Sequence, residues 1–92
     1  MSLTRVHVVV EGRVQGVFFR KYTQDEARKL SLCGWVRNLP NGSVEAELEG
    51  EEQDIARMLS WFYVGSPDSL VRKVAHMPCE ILRCEKDFVI RY

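Results

Sequence analysis

"GWVRNLPNGSVEAELEG", residues 34–50, carries the pattern that decides the fold. Its opening "GWVRNL" is short and bounded by turn formers, so it reads as a strand. Pro40, Asn41 and Gly42 supply a hairpin turn, because Asn-Gly tolerates the positive φ angles that tight turns between strands need. Residues 43–50 then alternate, with Val44, Ala46 and Leu48 on one side and Glu45, Glu47 and Glu49 on the other. One face of this hairpin is expected on a core and the other toward water.

The flanking segments complete the plan. "RVHVVVEG" (residues 5–12) sets Val6, Val8 and Val10 on one face of a strand, with His7 on the opposite, solvated face. After a glycine-bearing loop, residues 21–32 read as a helix. Phe19, Thr23, Ala27 and Leu30 recur at three- and four-residue steps, and Asp25 stands four before Lys29. Gly34 is expected to end this helix in a left-handed conformation. Residues 51–64 form a second helix, with acids in its first turn and a buried stripe of Ile55, Met58, Leu59 and Phe62. "GSPDS" (65–69) ends it, and "LVRKVAHM" (70–77) and "DFVIRY" (87–92) supply two more strands. No element is assigned to residues 78–86.

The order is strand, helix, strand, strand, helix, strand, with one further strand near the C-terminus. This is the α+β, ferredoxin-like (βαββαβ) sandwich. Two helices pack on one face of a four- to five-stranded antiparallel or mixed sheet, in a single domain over residues 1–92. In that plan the first two strands run parallel with the third between them. The loop after strand one and the end of strand two then share one edge, two strand spacings or about 10 Å apart.

Composition narrows the function. Ninety-two residues bury one modest core. Thirteen basic and thirteen acidic side chains cancel, whereas avid binding to nucleic acid or anionic membrane draws on a positive excess. A bound anion should therefore be small and held by geometry. No stretch reaches the roughly 18 apolar residues of a membrane span, and Arg5, His7 and Glu11 interrupt any signal-peptide core. Cys33, Cys79 and Cys84 are odd in number and lack C-x-x-C spacing, so they read as reduced thiols in a cytoplasmic protein. His7 and His76 lie far from any paired cysteines, so neither a metal nor another cofactor is expected.

"EGRVQGVFFRKYTQ" (residues 11–24) then carries the chemistry. Gly12 and Gly16 permit backbone angles that other residues resist and let a ligand approach the main chain. The amides from Gln15 to Arg20 can turn inward together, and the positive end of the first helix adds to their field. Arg20 offers a fork of donors matching phosphate oxygens two at a time. A plain glycine turn with a solvated arginine explains the spacing equally well. The stretch is neither a P-loop nor the dinucleotide G-x-G-x-x-G. Asparagine is depleted in strands, yet Asn38 ends "WVRN" on the edge that holds the loop. Its amide either starts the turn or holds a water against a bound phosphoryl group. Trp35, Trp61, Phe62, Tyr63 and Phe88 read as structure, and Arg13 and Lys21 as flanking charges.

"GRVQGVFFR", "GWVRN" and "NGSVEAELEG" together, in this order, resemble the acylphosphatase family over nearly the whole chain. The resemblance implies a small metal-independent hydrolase of carboxyl–phosphate anhydrides such as acetyl phosphate. Arg20 then corresponds to the phosphate-binding arginine and Asn38 to the residue that orients the attacking water. The backbone of Gln15, Gly16, Val17, Phe18 and Phe19 corresponds to the phosphate cradle, with Gly12 shaping the loop. Phe18 stands where many bacterial members carry glycine, and Leu39 where some carry threonine. The expected partners are a small acyl phosphate and inorganic phosphate, with no nucleic acid or membrane, and a monomer is expected. Two rivals are weaker. A non-catalytic phosphate-binding module would sit inside a larger enzyme, and no partner domain is expected here. An RNA-recognition domain shares the βαββαβ order, but its third strand would carry aromatics where this chain carries Glu45, Glu47 and Glu49.

Overall fold

A computed structural model of the chain describes residues 2–85 and 87–92. The elements run β1 (Leu3–Arg13), α1 (Phe19–Lys29), β2 (Cys33–Asn38), β3 (Val44–Glu51), α2 (Glu52–Val64), β4 (Leu70–Pro78) and β5 (Phe88–Ile90). They form one sheet in the order β4-β1-β3-β2-β5. β3 lies antiparallel to both β1 and β2, so those two run parallel to each other as the split βαβ plan requires. β5 adds a parallel edge beside β2.

The core follows from strand alternation. Val6, Val8 and Val10 of β1, Val36 of β2 and Val44, Ala46 and Leu48 of β3 are all buried on one face. Phe19, Thr23 and Ala27 of α1 and Ile55, Met58 and Phe62 of α2 cover that same face, so both helices lie on one side of the sheet. Fully burying each such apolar side chain contributes roughly 1.5–3 kcal/mol. Leu59 packs against the cluster while remaining partly exposed. The rings of Phe19, Trp61 and Phe62 meet at 5.6–6.2 Å between centroids and lock α1 to α2.

Two glycines act as close-approach residues inside strands. Gly12 lies within β1 at a bulge, where the register against β4 shifts, and not in the loop that follows. Its φ is 134°, and a Cβ there would collide with the carbonyl of Leu70. Gly34 does not cap α1. It is the second residue of β2, with φ 141°, and a Cβ would strike the carbonyl of Glu47 on β3. The left-handed residue after α1 is Ser31, at φ 58°. Leu32 N–H returns to Ala27 O (2.9 Å) and Ser31 N–H to Arg28 O (3.1 Å), which closes the helix as a Schellman motif.

The acidic face of β3 also departs from expectation. Glu45, Glu47 and Glu49 do point away from the core, but only partly toward water. Residues 79–85 fold over that face, and Glu49 is buried. Its carboxylate accepts the N–H groups of Leu82 (2.8 Å), Arg83 (3.2 Å) and Cys84 (3.1 Å), and Arg5 Nη1 at 3.2 Å. Burial pushes this carboxyl up, but the hydrogen bonds from Leu82, Arg5 and Cys84 more than reverse the shift and hold it below the ordinary carboxylate value. Arg5 Nε donates to Glu47 (2.8 Å), and Glu45 pairs with His7 (2.7 Å) and Arg37, so His7 is half-buried and partnered.

Cys33 and Cys84 form a disulfide that ties β2 to the covering segment, which corrects the expectation of three reduced thiols. Only Cys79 is free. Spacing along the chain gave no hint of the pairing, because the sheet and the covering segment bring together residues 51 apart. Lys86, the last residue of the unassigned stretch, lies outside the described residues.

Candidate active site

The β1–α1 loop is pinned by its own alternation. Val14, Val17 and Phe19 send their side chains into the core, while Gly16 and Phe18 face outward. Two further anchors come from distant parts of the chain. The buried Ser66, in the turn after α2, donates through Oγ to Val17 O at 2.9 Å. Gln15 Nε2 donates to Leu39 O at 2.7 Å and to Ser43 O at 2.9 Å. Those two carbonyls belong to the β2–β3 turn, so the Gln15 side chain holds the loop against the end of β2. Sequence reasoning placed Gln15 in the site through its backbone and missed this role of its amide.

Main-chain donors of the loop have no partner in the protein. Among the described residues, no N–H from Gln15 to Phe19 donates a hydrogen bond to the protein. α1 begins at Phe19 without a side-chain cap, so its first-turn amides and the positive end of its dipole face the same place. Phe18, the residue before the helix, takes a left-handed conformation at φ 58° and ψ 24°.

Sheet register places Asn38 opposite this loop. Asn38 pairs with Val44, and Val44 pairs with Val10, so the three stand in one row across β2, β3 and β1. Asn38 is therefore two strand spacings from β1, about 10 Å, at the end where the loop leaves. Its Oδ1 is buried and accepts no hydrogen bond from the protein. A buried acceptor without a donor costs about 1–3 kcal/mol, which marks this oxygen as one suited to a donor from outside the chain.

Arg20 stands in the first turn of α1. Its Nη1 donates to Arg91 O at 3.2 Å, and its guanidinium lies 4.7 Å from the centre of the Tyr92 ring. These contacts come from beyond β5 and set the direction of the guanidinium, a role that sequence spacing did not reveal. The Arg91 side chain in turn lies over Trp35, 4.7 Å from its ring centre.

A cleft of about 310 Å³ opens between these elements. The structure brings Gly16, Phe18, Phe19, Arg20 and Asn38 together on its walls, with Val14, Lys21, Ile90 and Tyr92. Gln15, Val17, Gly12 and Arg13 do not line it; the first two anchor the loop, and Gly12 shapes the strand before it. No carboxylate, imidazole or thiol side chain is among the lining residues. The arrangement can bind a tetrahedral anion through amides and a guanidinium while offering a carbonyl acceptor beside it. Cys33, Glu49 and Cys84 also cluster, at the far end of β2, but their sulfurs are bonded to each other and the carboxylate already accepts four donors. They offer little to a metal ion.

Relatives carry the same architecture. The family model described as Acylphosphatase matches residues 6–90. An acylphosphatase of Syntrophobacter fumaroxidans is 53% identical over 74 residues, covering 80% of this chain and 76% of that protein. The crystal structure of acylphosphatase from Bacillus subtilis superposes with a TM-score of 0.92 at 37% identity, covering 99% of this chain and all (100%) of that one. Full-length HypF, in a phosphate- and nucleotide-bound form, matches with a TM-score of 0.85 at 28% identity, and there this chain corresponds to only 12% of the larger protein. With the family model spanning almost every element from β1 to β5, the chain belongs to the acylphosphatase family.

Proposed function

We propose that the protein hydrolyses acyl phosphates to a carboxylate and inorganic phosphate, by attack of water on a phosphoryl group held in the β1–α1 loop. Amides of the Gln15–Phe19 loop, those of Gly16, Phe18 and Phe19 on the cleft wall, and the Arg20 guanidinium take the phosphoryl oxygens and stabilise the charge that develops on them. Asn38 Oδ1 accepts a hydrogen bond from the attacking water and aims it at phosphorus. A carboxylate leaving group is weakly basic, so the reaction needs no strong general acid, in keeping with the residues that line the cleft. The water's proton passes to a phosphate oxygen of the substrate. The observation that carries this reading is the buried, unpartnered Asn38 Oδ1 in the same cleft as Arg20 and the open amides.

Hydrolysis of benzoyl phosphate in excess chelator tests it. Wild-type turnover should persist, and Arg20→Gln should reduce kcat by roughly a thousandfold. Asn38→Ala should lower kcat while competitive inhibition by inorganic phosphate stays near the wild-type level. An Asn38→Ala variant that lost phosphate binding and kept its turnover would contradict the water-positioning role. Phosphate binding without any wild-type hydrolysis would instead favour a binding module. The same reading makes the protein one that acts on small molecules and binds no nucleic acid. It rests on the balanced charge and on the pairing of the β3 glutamates with Arg5, His7 and Arg37, which leaves no free basic surface there. Among the described residues no helix is long and apolar enough to cross a membrane.

A further inference from the structure

The cleft is lined by two kinds of group: the polar Arg20, Asn38 and loop main chain, and the apolar Phe18, Ile90 and Tyr92. Phe18 is the anomalous residue. Its backbone is left-handed (φ 58°), a conformation that penalises any side chain carrying a Cβ. Its ring is 75% exposed and belongs to neither the core cluster nor the aromatic contacts that join the helices. Folding alone therefore gives no reason for a phenylalanine here, and strained backbone of this kind gathers at functional sites.

The group attached to a phosphoryl bound at Arg20 meets the apolar lining of the same cleft. Phe18 stands two residues earlier in the chain, and the Tyr92 ring, itself almost wholly exposed, has its centre 4.7 Å from the guanidinium. We propose that Phe18 and Tyr92, with Ile90, form the subsite for the acyl group, and that it selects acyl phosphates with an apolar, aromatic acyl group over small or anionic ones. The proposal rests on the acyl-phosphate reading above. Charge points the same way. Arg20 is committed to the phosphoryl group and to Arg91 O, and Lys21, the other cation on the cleft, has its Nζ 3.0 Å from Asp25. Among the described residues lining the cleft, no cation other than Arg20 and the Asp25-paired Lys21 is present to reward an anionic acyl group, while flat apolar rings reward an aryl one.

The test compares kcat/KM for benzoyl, acetyl and succinyl phosphates in wild type, Phe18→Gly, Phe18→Tyr and Tyr92→Ala. Ratios between substrates, compared across variants, cancel the intrinsic reactivity of each anhydride. Glycine also relieves the backbone at position 18, so the main variant is expected to fold. Phe18→Gly should lower the benzoyl-to-acetyl ratio about tenfold, equivalent to about 1.4 kcal/mol, mostly through KM for benzoyl phosphate. Tyr92→Ala should lower the ratio in the same direction, and Phe18→Tyr, which keeps the ring, should hold it within about twofold of wild type. An unchanged benzoyl-to-acetyl ratio in both Phe18→Gly and Tyr92→Ala would overturn the subsite, as would a succinyl-to-benzoyl ratio that falls in Phe18→Gly instead of rising. Failure of wild type to hydrolyse any of the three would overturn the acyl-phosphate reading itself, which is a distinguishable result.

Discussion

Replacing Gln15 with methionine removes two hydrogen bonds while keeping the length of the side chain. The bonds run from Nε2 to Leu39 O (2.7 Å) and Ser43 O (2.9 Å), across 24 and 28 residues of sequence. Neither carbonyl is orphaned by their loss. Leu39 O still accepts Gly42 N–H (3.2 Å), and Ser43 O still accepts Leu39 N–H (2.8 Å). The cost is therefore the net value of two bonds, about 2 kcal/mol in total, without an added desolvation penalty. For a chain of this size that should lower Tm by roughly 10 °C. The effect on turnover arises separately. Gln15 is what ties the β1–α1 loop to the strand end carrying Asn38, and a misplacement near 1 Å can cost about a hundredfold in rate. Urea and thermal unfolding, run beside benzoyl phosphate kinetics, read both quantities. Gln15→Glu should be worse, since its carboxylate would face two carbonyl oxygens. A Gln15→Met variant less than about 0.5 kcal/mol destabilised, with kcat unaltered, would refute the idea that this side chain joins the two halves of the site.

Gly34→Ala should destabilise by more than about 3 kcal/mol, because the new Cβ meets the Glu47 carbonyl at a backbone angle unfavourable to alanine; a urea midpoint near wild type would contradict that. Glu49 should make stability depend on pH. Its carboxyl is held below the ordinary value in the folded state, so its contribution is full above about pH 4.5 and is lost as pH falls through the folded-state value. Glu49→Gln should be less stable at neutral pH and show a shallower acid limb, and an unchanged slope below pH 4.5 would remove Glu49 from that role. Cys84→Ser opens a loop of 51 residues in sequence separation, worth about 2–4 kcal/mol. The loss should be seen in urea without reductant, and reductant should destabilise wild type but not the variant. Asn38 ends β2 opposite Cys33, so kcat of the folded variant should hold.

Much of the site was legible because it depends on local periodicity and on one topological rule. Alternating valines in β1 and glutamates in β3 define two strands and their faces. The three- and four-residue steps from Phe19 to Ala27 and from Ile55 to Phe62 define two helices. The βαββαβ order then sets β3 between β1 and β2, which alone carries Asn38 to the same edge as the Gly16–Arg20 loop. The end of α1 falls earlier than composition suggests, for a physical reason. Gly34 was an attractive terminator by composition, but tertiary approach of β2 to β3 required a glycine at that position, while Ser31 accepted the left-handed turn.

What remained hidden was everything that depends on partners distant in sequence. The Gln15 amide, the Ser66 hydroxyl on Val17 O, the Arg91 carbonyl that turns Arg20, and the burial of Glu49 under residues 79–85 each join segments that no spacing rule connects. The cysteines show the contrast most plainly: an odd, unspaced set read as three thiols, yet folding brings Cys33 and Cys84 together. Residue types and their periods were enough to say which strands and helices form and which edge brings Asn38 and the Gly16–Arg20 loop together, since those follow from backbone geometry and side-chain alternation along a few consecutive residues. The aim of each group within that edge was decided only in three dimensions, because hydrogen bonds and packing select partners by distance in space and not by separation along the chain.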